Sequence, residues 1–157
     1  MNMLKQRENI DIRKVTLSDV GYVQTISRQT FTETFSAGNT AENLKMYLEK
    51  AFSIDKLSAE LSNANSDFYF ATLGSKVIGY LKLNFGPSQT EIKDHNALEI
   101  ERIYVLKEYH GKNVGQLLYE KAIQVAKQTN ANYVWLGVWE KNTRAISFNK
   151  KKWFRGV

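Results

Sequence analysis

LEIERIYVLKEYHGKNVGQLL, residues 98–118, changes its periodicity halfway along. Leu98, Ile100 and Arg102 alternate against Glu99, Glu101 and Ile103, the two-residue repeat of a strand over 98–105. Further on, Val114, Leu117, Leu118, Ala122 and Val125 fall on one helical face, which predicts a helix over 113–128. Gly111 and Gly115 lie at the junction. A strand that passes through such a turn into a helix gathers several backbone N–H groups at the positive end of a helix dipole, a suitable seat for a pyrophosphate. The same two glycines would serve equally well as a tight turn and a close helix-to-sheet contact, so the loop alone leaves both readings open.

Working outward, residues 68–73 and 77–85 read as strands joined by Gly74-Ser75, a hairpin, and the polar stretch 86–96 as an irregular connection. A first strand is predicted over 10–15, with Ile10, Ile12 and Lys14 on one face. Ser18 is the expected cap of a helix that carries Asp19 in its first turn and Val23, Ile26 and Phe31 on its apolar face, ending near Phe35. After Ala37-Gly38-Asn39, Leu44, Tyr47, Leu48 and Ala51 recur at helical spacing, and Ser53 caps a shorter helix through Leu57 and Leu61. Downstream, aromatic and β-branched residues mark a strand over 133–139, and a helix is expected over 142–151. The order is β-α-α-β-β-β-α-β-α, with a βαβ unit in the second half.

A chain of 157 residues, 43% hydrophobic and 24% charged, predicts one folded domain, 1–157, and not two of ordinary size. No apolar run approaches the roughly 18 residues of a membrane span, and residues 1–9 lack the apolar stretch of a signal peptide, so the expected location is cytoplasmic. The absence of cysteine excludes disulfides, thiolate metal sites and a cysteine acyl-enzyme. His95 and His110, the only histidines, have no metal-ligand spacing, so no metal is expected. No nucleophile elbow accompanies any serine, which argues against a serine hydrolase. The net charge of +6, from 22 Lys+Arg and 16 Asp+Glu, admits nucleic acid, anionic lipid or a phosphorylated ligand. Its densest cluster, Lys150 to Lys152 with Arg155, reads as a solvated helix end, and no helix has a basic recognition face, so nucleic acid is not an expected partner.

His110, Gly111, Lys112, Asn113, Val114 and Gly115 resemble the Q/R-x-x-G-x-G/A turn called motif A in the GNAT superfamily of N-acetyltransferases. His110 stands where Gln or Arg is usual, and Asn113 where the first motif glycine is usual; Asn tolerates a left-handed backbone, so the turn is expected to survive. Asn142, Ala145, Phe148, Lys151 and Phe154 match the family's motif B, N-x-x-A-x-x-F-Y-x-K-x-G-F, with Asn149 in place of its tyrosine and Trp153 in place of its glycine. With IERIYV at 100–105 and the pairs Thr30-Phe31 and Thr34-Phe35, the chain looks most like the PaiA-type polyamine N-acetyltransferases over nearly all its length.

The resemblance implies an α/β, mixed α+β fold: a central, mostly antiparallel sheet with flanking helices. Family members continue through a final pair of strands, so a chain ending at Val157 is expected to leave that pair incomplete. Either a second subunit then covers the sheet edge, in a homodimer, or the chain is a shortened variant of low activity. The implied reaction is direct transfer of an acetyl group from acetyl-CoA to a primary amine, with a polyamine such as spermidine as acceptor. The alternative is an acetyl-CoA-binding regulatory protein of the same fold. By resemblance the cofactor surface comprises Ile103, Tyr104, Val105, His110, Gly111, Lys112, Asn113, Val114, Gly115 and Gln116, joined by Asn142 and Phe148. Asn142 is equally suited to cap its helix.

Direct transfer needs an acceptor for the amine's proton. Glu99 and Glu101, at i and i+2 of the strand, are the expected catalytic pair; their alternative is ordinary ion pairing on a solvated face. Glu33 and Glu140 would add to the attraction for a cation. Asn149 cannot protonate a leaving thiolate, which leaves Tyr104, Tyr109 and Tyr119 as substitutes.

Overall fold

Gly74, at φ +61, turns the chain between β2 (Ser66–Leu73) and β3 (Lys76–Phe85) and makes the expected hairpin. In the computed structural model residues 9–137 and the backbone of 154–155 are described. β1 (Ile10–Lys14) lies antiparallel to β2, Ile10 opposite Leu73, and β4 (Ala97–Val105) lies antiparallel to β3. The chain then crosses through a helix, α4 (Val114–Gln128), to β5 (Tyr133–Leu136), which runs parallel to β4 with Ala97 opposite Tyr133. That is the βαβ unit read from residues 98–139. β6 (Phe154–Arg155), which no hydropathy pattern marks, pairs antiparallel with the outer side of β5. Among the described residues six strands follow one another across the sheet in chain order. The expected helix over 142–151, and the last residues of the strand expected over 133–139, lie outside the described residues.

Three further helices, α1 (Val20–Phe35), α2 (Ala41–Ala51) and α3 (Ile54–Leu61), precede the hairpin. Thr40 and Ser53 cap α2 and α3, accepting from the N–H groups of Asn43 and Lys56 at 3.1 Å each. Ser18, the expected cap of α1, does not cap it: α1 starts after Asp19, and Thr16 caps the 3-10 turn ahead of it. Thr16 is still extended, at φ −115, and the Asp19 carboxylate reaches back to accept its N–H at 3.0 Å, while Ser18 already lies inside a 3-10 turn, Leu17–Asp19.

The sheet is buried on both faces. On one, Tyr69, Ala71, Ile78, Leu81, Leu83, Leu98, Ile100 and Val134 pack against Val114, Leu118, Ala122, Val125 and Ala126 of α4. On the other, Phe68, Phe70 and Tyr80 meet Val23, Ile26 and Phe31 of α1 and Leu57 of α3. Burying one such side chain contributes about 1.5–3 kcal/mol, so both layers are held mainly by apolar contact. Among the described residues no helix is long and apolar enough to cross a membrane.

Candidate active site

β4 does not keep its alternation. Lys82 pairs with Arg102 and Leu83 with Ile100, so Glu101 is the extra residue of a β-bulge. Beyond it the strand changes phase: Ile103 and Val105 pack toward α4 with Leu98 and Ile100, while Arg102 and Tyr104 turn to the opposite face. The expected grouping of Arg102 with Leu98 and Ile100, and of Ile103 with the glutamates, is therefore corrected. Both glutamates and the arginine border a cavity of about 510 Å³ beneath α1 and α2, walled on the helix side by Phe31, Phe35, Tyr47 and Phe52.

Glu99 and Glu101 are brought together as their spacing predicted. One amide, Asn84 Nδ2, donates to Glu99 Oε1 at 2.9 Å and to Glu101 Oε1 at 2.8 Å. Glu99 is 1% exposed and also accepts from the N–H of Thr90 at 2.8 Å and from its hydroxyl. Glu101 takes Lys82 Nζ at 2.8 Å and Arg102 Nη2 at 3.2 Å, and Glu60 of α3 binds the same two cations, each at 3.1 Å. Burial by itself would raise the Glu101 carboxyl; Arg102, Lys82 and the Asn84 amide together outweigh it and hold the group below the usual carboxylate range. Glu101 is thus a fixed anion and not an ordinary surface charge.

Three tyrosines are candidate proton donors. Tyr104 lines the cavity, whereas Tyr109 has Lys76 Nζ 5.3 Å from its ring centroid and Tyr119, on α4 itself, packs at the edge of the core. Burial pushes the Tyr104 phenol up while Arg102 draws it down, with a net rise; the fully enclosed Tyr80 beside it is pushed up to about 12. Both stay protonated, each keeping an O–H that can donate.

At the far end of β4 the strand passes through a 3-10 turn, Lys107–Tyr109, into the glycine-containing corner. His110 Nε2 lies 2.9 Å from the carbonyl of Val105, and because a carbonyl only accepts, that nitrogen carries the proton. The ring thereby fastens the turn to the strand. Gly111 has φ +78 and Asn113 φ +66, so the asparagine adopts the left-handed conformation its motif position demands. Leu117 makes the first intrahelical bond, to the Asn113 carbonyl at 3.1 Å, which leaves the N–H groups of Val114, Gly115 and Gln116 ahead of the ladder and facing out of the helix end. α2 and α3 have a hydroxyl cap and an acid in the first turn; α4 has neither. Lys112 is exposed alongside.

Ile103 and Tyr104 line the cavity and Val105 leads from it toward this corner, so one strand joins the carboxylate pair to the helix end. Asn142 and Phe148 lie outside the described residues, as does Glu140; Glu33 is turned elsewhere, accepting the Lys107 N–H at 2.8 Å. Sequence reading missed Lys82, Asn84, Glu60 and Thr90. A signal was present for two of them: Lys82 and Asn84 stand at i and i+2 of a strand whose other positions are almost all apolar, which marks a polar cluster on a buried face.

The profile described as the acetyltransferase (GNAT) family matches residues 24–152. An uncharacterised N-acetyltransferase in the pepI 3′ region of Lactobacillus delbrueckii subsp. lactis is 39% identical over 139 residues, which cover 88% of this chain and 80% of that protein. The spermidine N(1)-acetyltransferase of Thermoplasma acidophilum is 26% identical over 151 residues, 94% of this chain and 89% of that protein. The crystal structure of PaiA N-acetyltransferase from Thermoplasma acidophilum in complex with coenzyme A superposes with a TM-score of 0.74, at 25% identity, over 91% of this chain and 87% of that one.

Proposed function

The chain belongs to the acetyltransferase (GNAT) family, and from that premise we propose that it moves an acetyl group from acetyl-CoA directly to a primary amine of a small molecule, with a polyamine such as spermidine as acceptor. The observation that carries the reading is a single strand, β4, running from two clasped carboxylates on a cavity to an uncapped, left-handed helix start.

The helix start fits the diphosphate of CoA. Three outward N–H groups, the dipole of a 15-residue helix, no acid in its first turn and Lys112 alongside all favour an anion there. Acetyl-CoA would supply the electrophilic thioester carbonyl and a leaving thiolate. The binding residues in this proposal are Gly111 to Gln116, with Ile103 to Val105 along the arm and Asn142 and Phe148 from the following segment. His110 acts from behind, holding the turn against Val105.

On the acceptor side, Glu99 and Glu101 draw an ammonium head into the cavity, and one of them takes its proton directly or through water. Glu91 also lines the cavity, so its carboxylates outnumber Arg102 and Lys56. The spermidine-acetylating relative supports a polyamine for the same reason of charge. Tyr104 offers its phenol O–H as a hydrogen-bond donor at the cavity wall.

The test is CoA-thiol release from acetyl-CoA over a panel of spermidine, spermine, diamines and simple monoamines, with calorimetric titration of acetyl-CoA in parallel. Turnover with a polyamine at least about tenfold above a monoamine of equal length supports the full reading. Tight acetyl-CoA binding with no release for any amine would replace it with a regulatory binding protein.

A further inference from the structure

Asn84 is 1% exposed and does not border the cavity, yet it holds both carboxylates that do. Its side-chain orientation is fixed from both ends: Oδ1 accepts from the Ser66 hydroxyl at 2.9 Å, and Nδ2 spends its two hydrogens on Glu99 and Glu101. A flipped amide would set a carbonyl oxygen against two carboxylates, so these acceptors select the orientation of the amide, and the Ser66 hydroxyl, donating to Oδ1, holds it there. Two like charges this close otherwise drive one of them to bind a proton.

We propose that Asn84 is a positioning residue for the transfer reaction: by bridging Glu99 and Glu101 it keeps both ionised and side by side, so that the cavity presents a two-carboxylate recess to the acceptor's ammonium group. The inference rests on the acetyltransferase reading given above. The surroundings bear it out asymmetrically. Glu101 is backed by Lys82 from β3, by Arg102 from its own strand and, beyond them, by Glu60 and Lys56 of α3, with Tyr47 of α2 and Tyr104 as neutral neighbours. Glu99 has no cation among these partners: it depends on Asn84 and on the N–H and hydroxyl of Thr90, while Glu91 of the same loop adds a further negative charge to the cavity. Among the described residues Asn84 is the one side chain that bonds to both glutamates. Removing it therefore takes from the pair its shared donor, while Glu101 retains Lys82 and Arg102.

The experiment is a proton titration of the full chain by NMR of 13Cδ-labelled glutamate, with the two signals assigned from E99Q and E101Q, in wild type, Asn84→Leu and Ser66→Ala, followed by the pH profile of kcat/KM for the best amine. In N84L one carboxyl of the pair is expected to titrate about one pH unit higher, and the acid limb of the kcat/KM profile moves up with it. KM for the amine rises about tenfold, while KM for acetyl-CoA is unchanged. S66A, which keeps every group on the pair and removes only the hydroxyl that holds Oδ1, shifts both readouts the same way by a smaller amount and remains the test should N84L fail to fold. Identical carboxyl titrations in wild type and a folded variant overturn the proposal. A shifted titration with an unmoved acid limb and amine KM overturns it as well, because Asn84 would then be structural only. Absence of turnover in wild type would sink the acetyltransferase reading instead, and the NMR titration would still decide whether Asn84 holds the pair.

Discussion

Lys82→Met is the sharpest probe of the charged cluster. Lys82 is only 6% exposed, and its ammonium sits between Glu60 at 3.1 Å and Glu101 at 2.8 Å, with Asn84 and Arg102 completing the group. Methionine matches the length of the stem and retains its contact with Phe68, over whose ring the ammonium lies 5.6 Å from the centroid. What is lost is one charge. Glu101 then keeps Arg102 as its cation and Glu60 keeps Arg102 and the more distant Lys56, at 4.0 Å, and breaking a buried ion pair from one side costs about 3–5 kcal/mol. Taking about 3 kcal/mol, since Arg102 remains, the midpoint of thermal unfolding should fall by about 6–12 °C for a domain of this size. The effect has a pH signature whose sign follows from Glu101. Its folded-state value lies below its unfolded one, so its ion pairs stabilise the fold above the unfolded carboxyl value of about 4.3 and lose that effect as pH falls through the depressed value. In the variant the folded value returns upward, so the deficit is full at neutral pH and shrinks as the solution is taken toward pH ~4. Urea unfolding at several pH values measures it. A deficit below about 0.5 kcal/mol at neutral pH, or one that does not change with pH, would refute the assignment of Lys82 as the counter-charge of Glu101.

Two further changes test the strand and its turn. Asn113→Val forces a β-branched residue to φ +66, which should cost about 1–2 kcal/mol and weaken acetyl-CoA binding by about tenfold in calorimetric titration, whereas Asn113→Gly should bind as tightly as wild type; equal affinity for Val and Gly variants would remove the turn from the binding site. Gly79→Ala would place a methyl group 2.9 Å from the Tyr104 carbonyl, so β4 must move. The expected cost is about 1–3 kcal/mol by chemical denaturation, and an unchanged midpoint would show that the strands give way freely.

Much of the architecture could be read from hydropathy because its signals are local. Val23, Ile26 and Phe31 place α1, Ser53 caps α3, and the glycine at 74 turns the hairpin, each by a rule that needs no distant partner. Asn113 belongs here too, since a left-handed position filled by Asn is a property of that residue alone. What sequence reading missed depends on pairing. β6 is two residues long and exists only as a partner to Tyr133 and Val134. Ser18 is not the cap because it lies inside a 3-10 turn that no periodicity announces, capped by Thr16 with Asp19 reaching back to it. Lys82 and Asn84 stood out as polar positions in an apolar strand, but their partners come from α3 and β4, 17 to 22 residues away for Glu60 and Glu101.

The bulge at Glu101 shows how such a feature follows from charge. In strict alternation Arg102 shares a face with Leu98 and Ile100, the face that α4 covers with Val114, Leu118 and Ala122. An unpaired guanidinium in that apolar layer would be worth several kcal/mol of destabilisation. Inserting one extra residue moves Arg102 across the sheet to within 3.1 Å of Glu60 and 3.2 Å of Glu101, and in the same step delivers Ile103 and Val105 to the apolar side. An arginine in the apolar stripe of a strand, followed by two β-branched residues at i+1 and i+3, is thus a sequence that only a phase change can bury. The phase change has a second effect: Glu99, Glu101, Arg102 and Tyr104 all border one cavity, more groups than a regular strand of that length presents on a single face. Stability and the proposed chemistry therefore ask for the same irregularity. A single-residue deletion within 100–102 that restored regular pairing should lose both together.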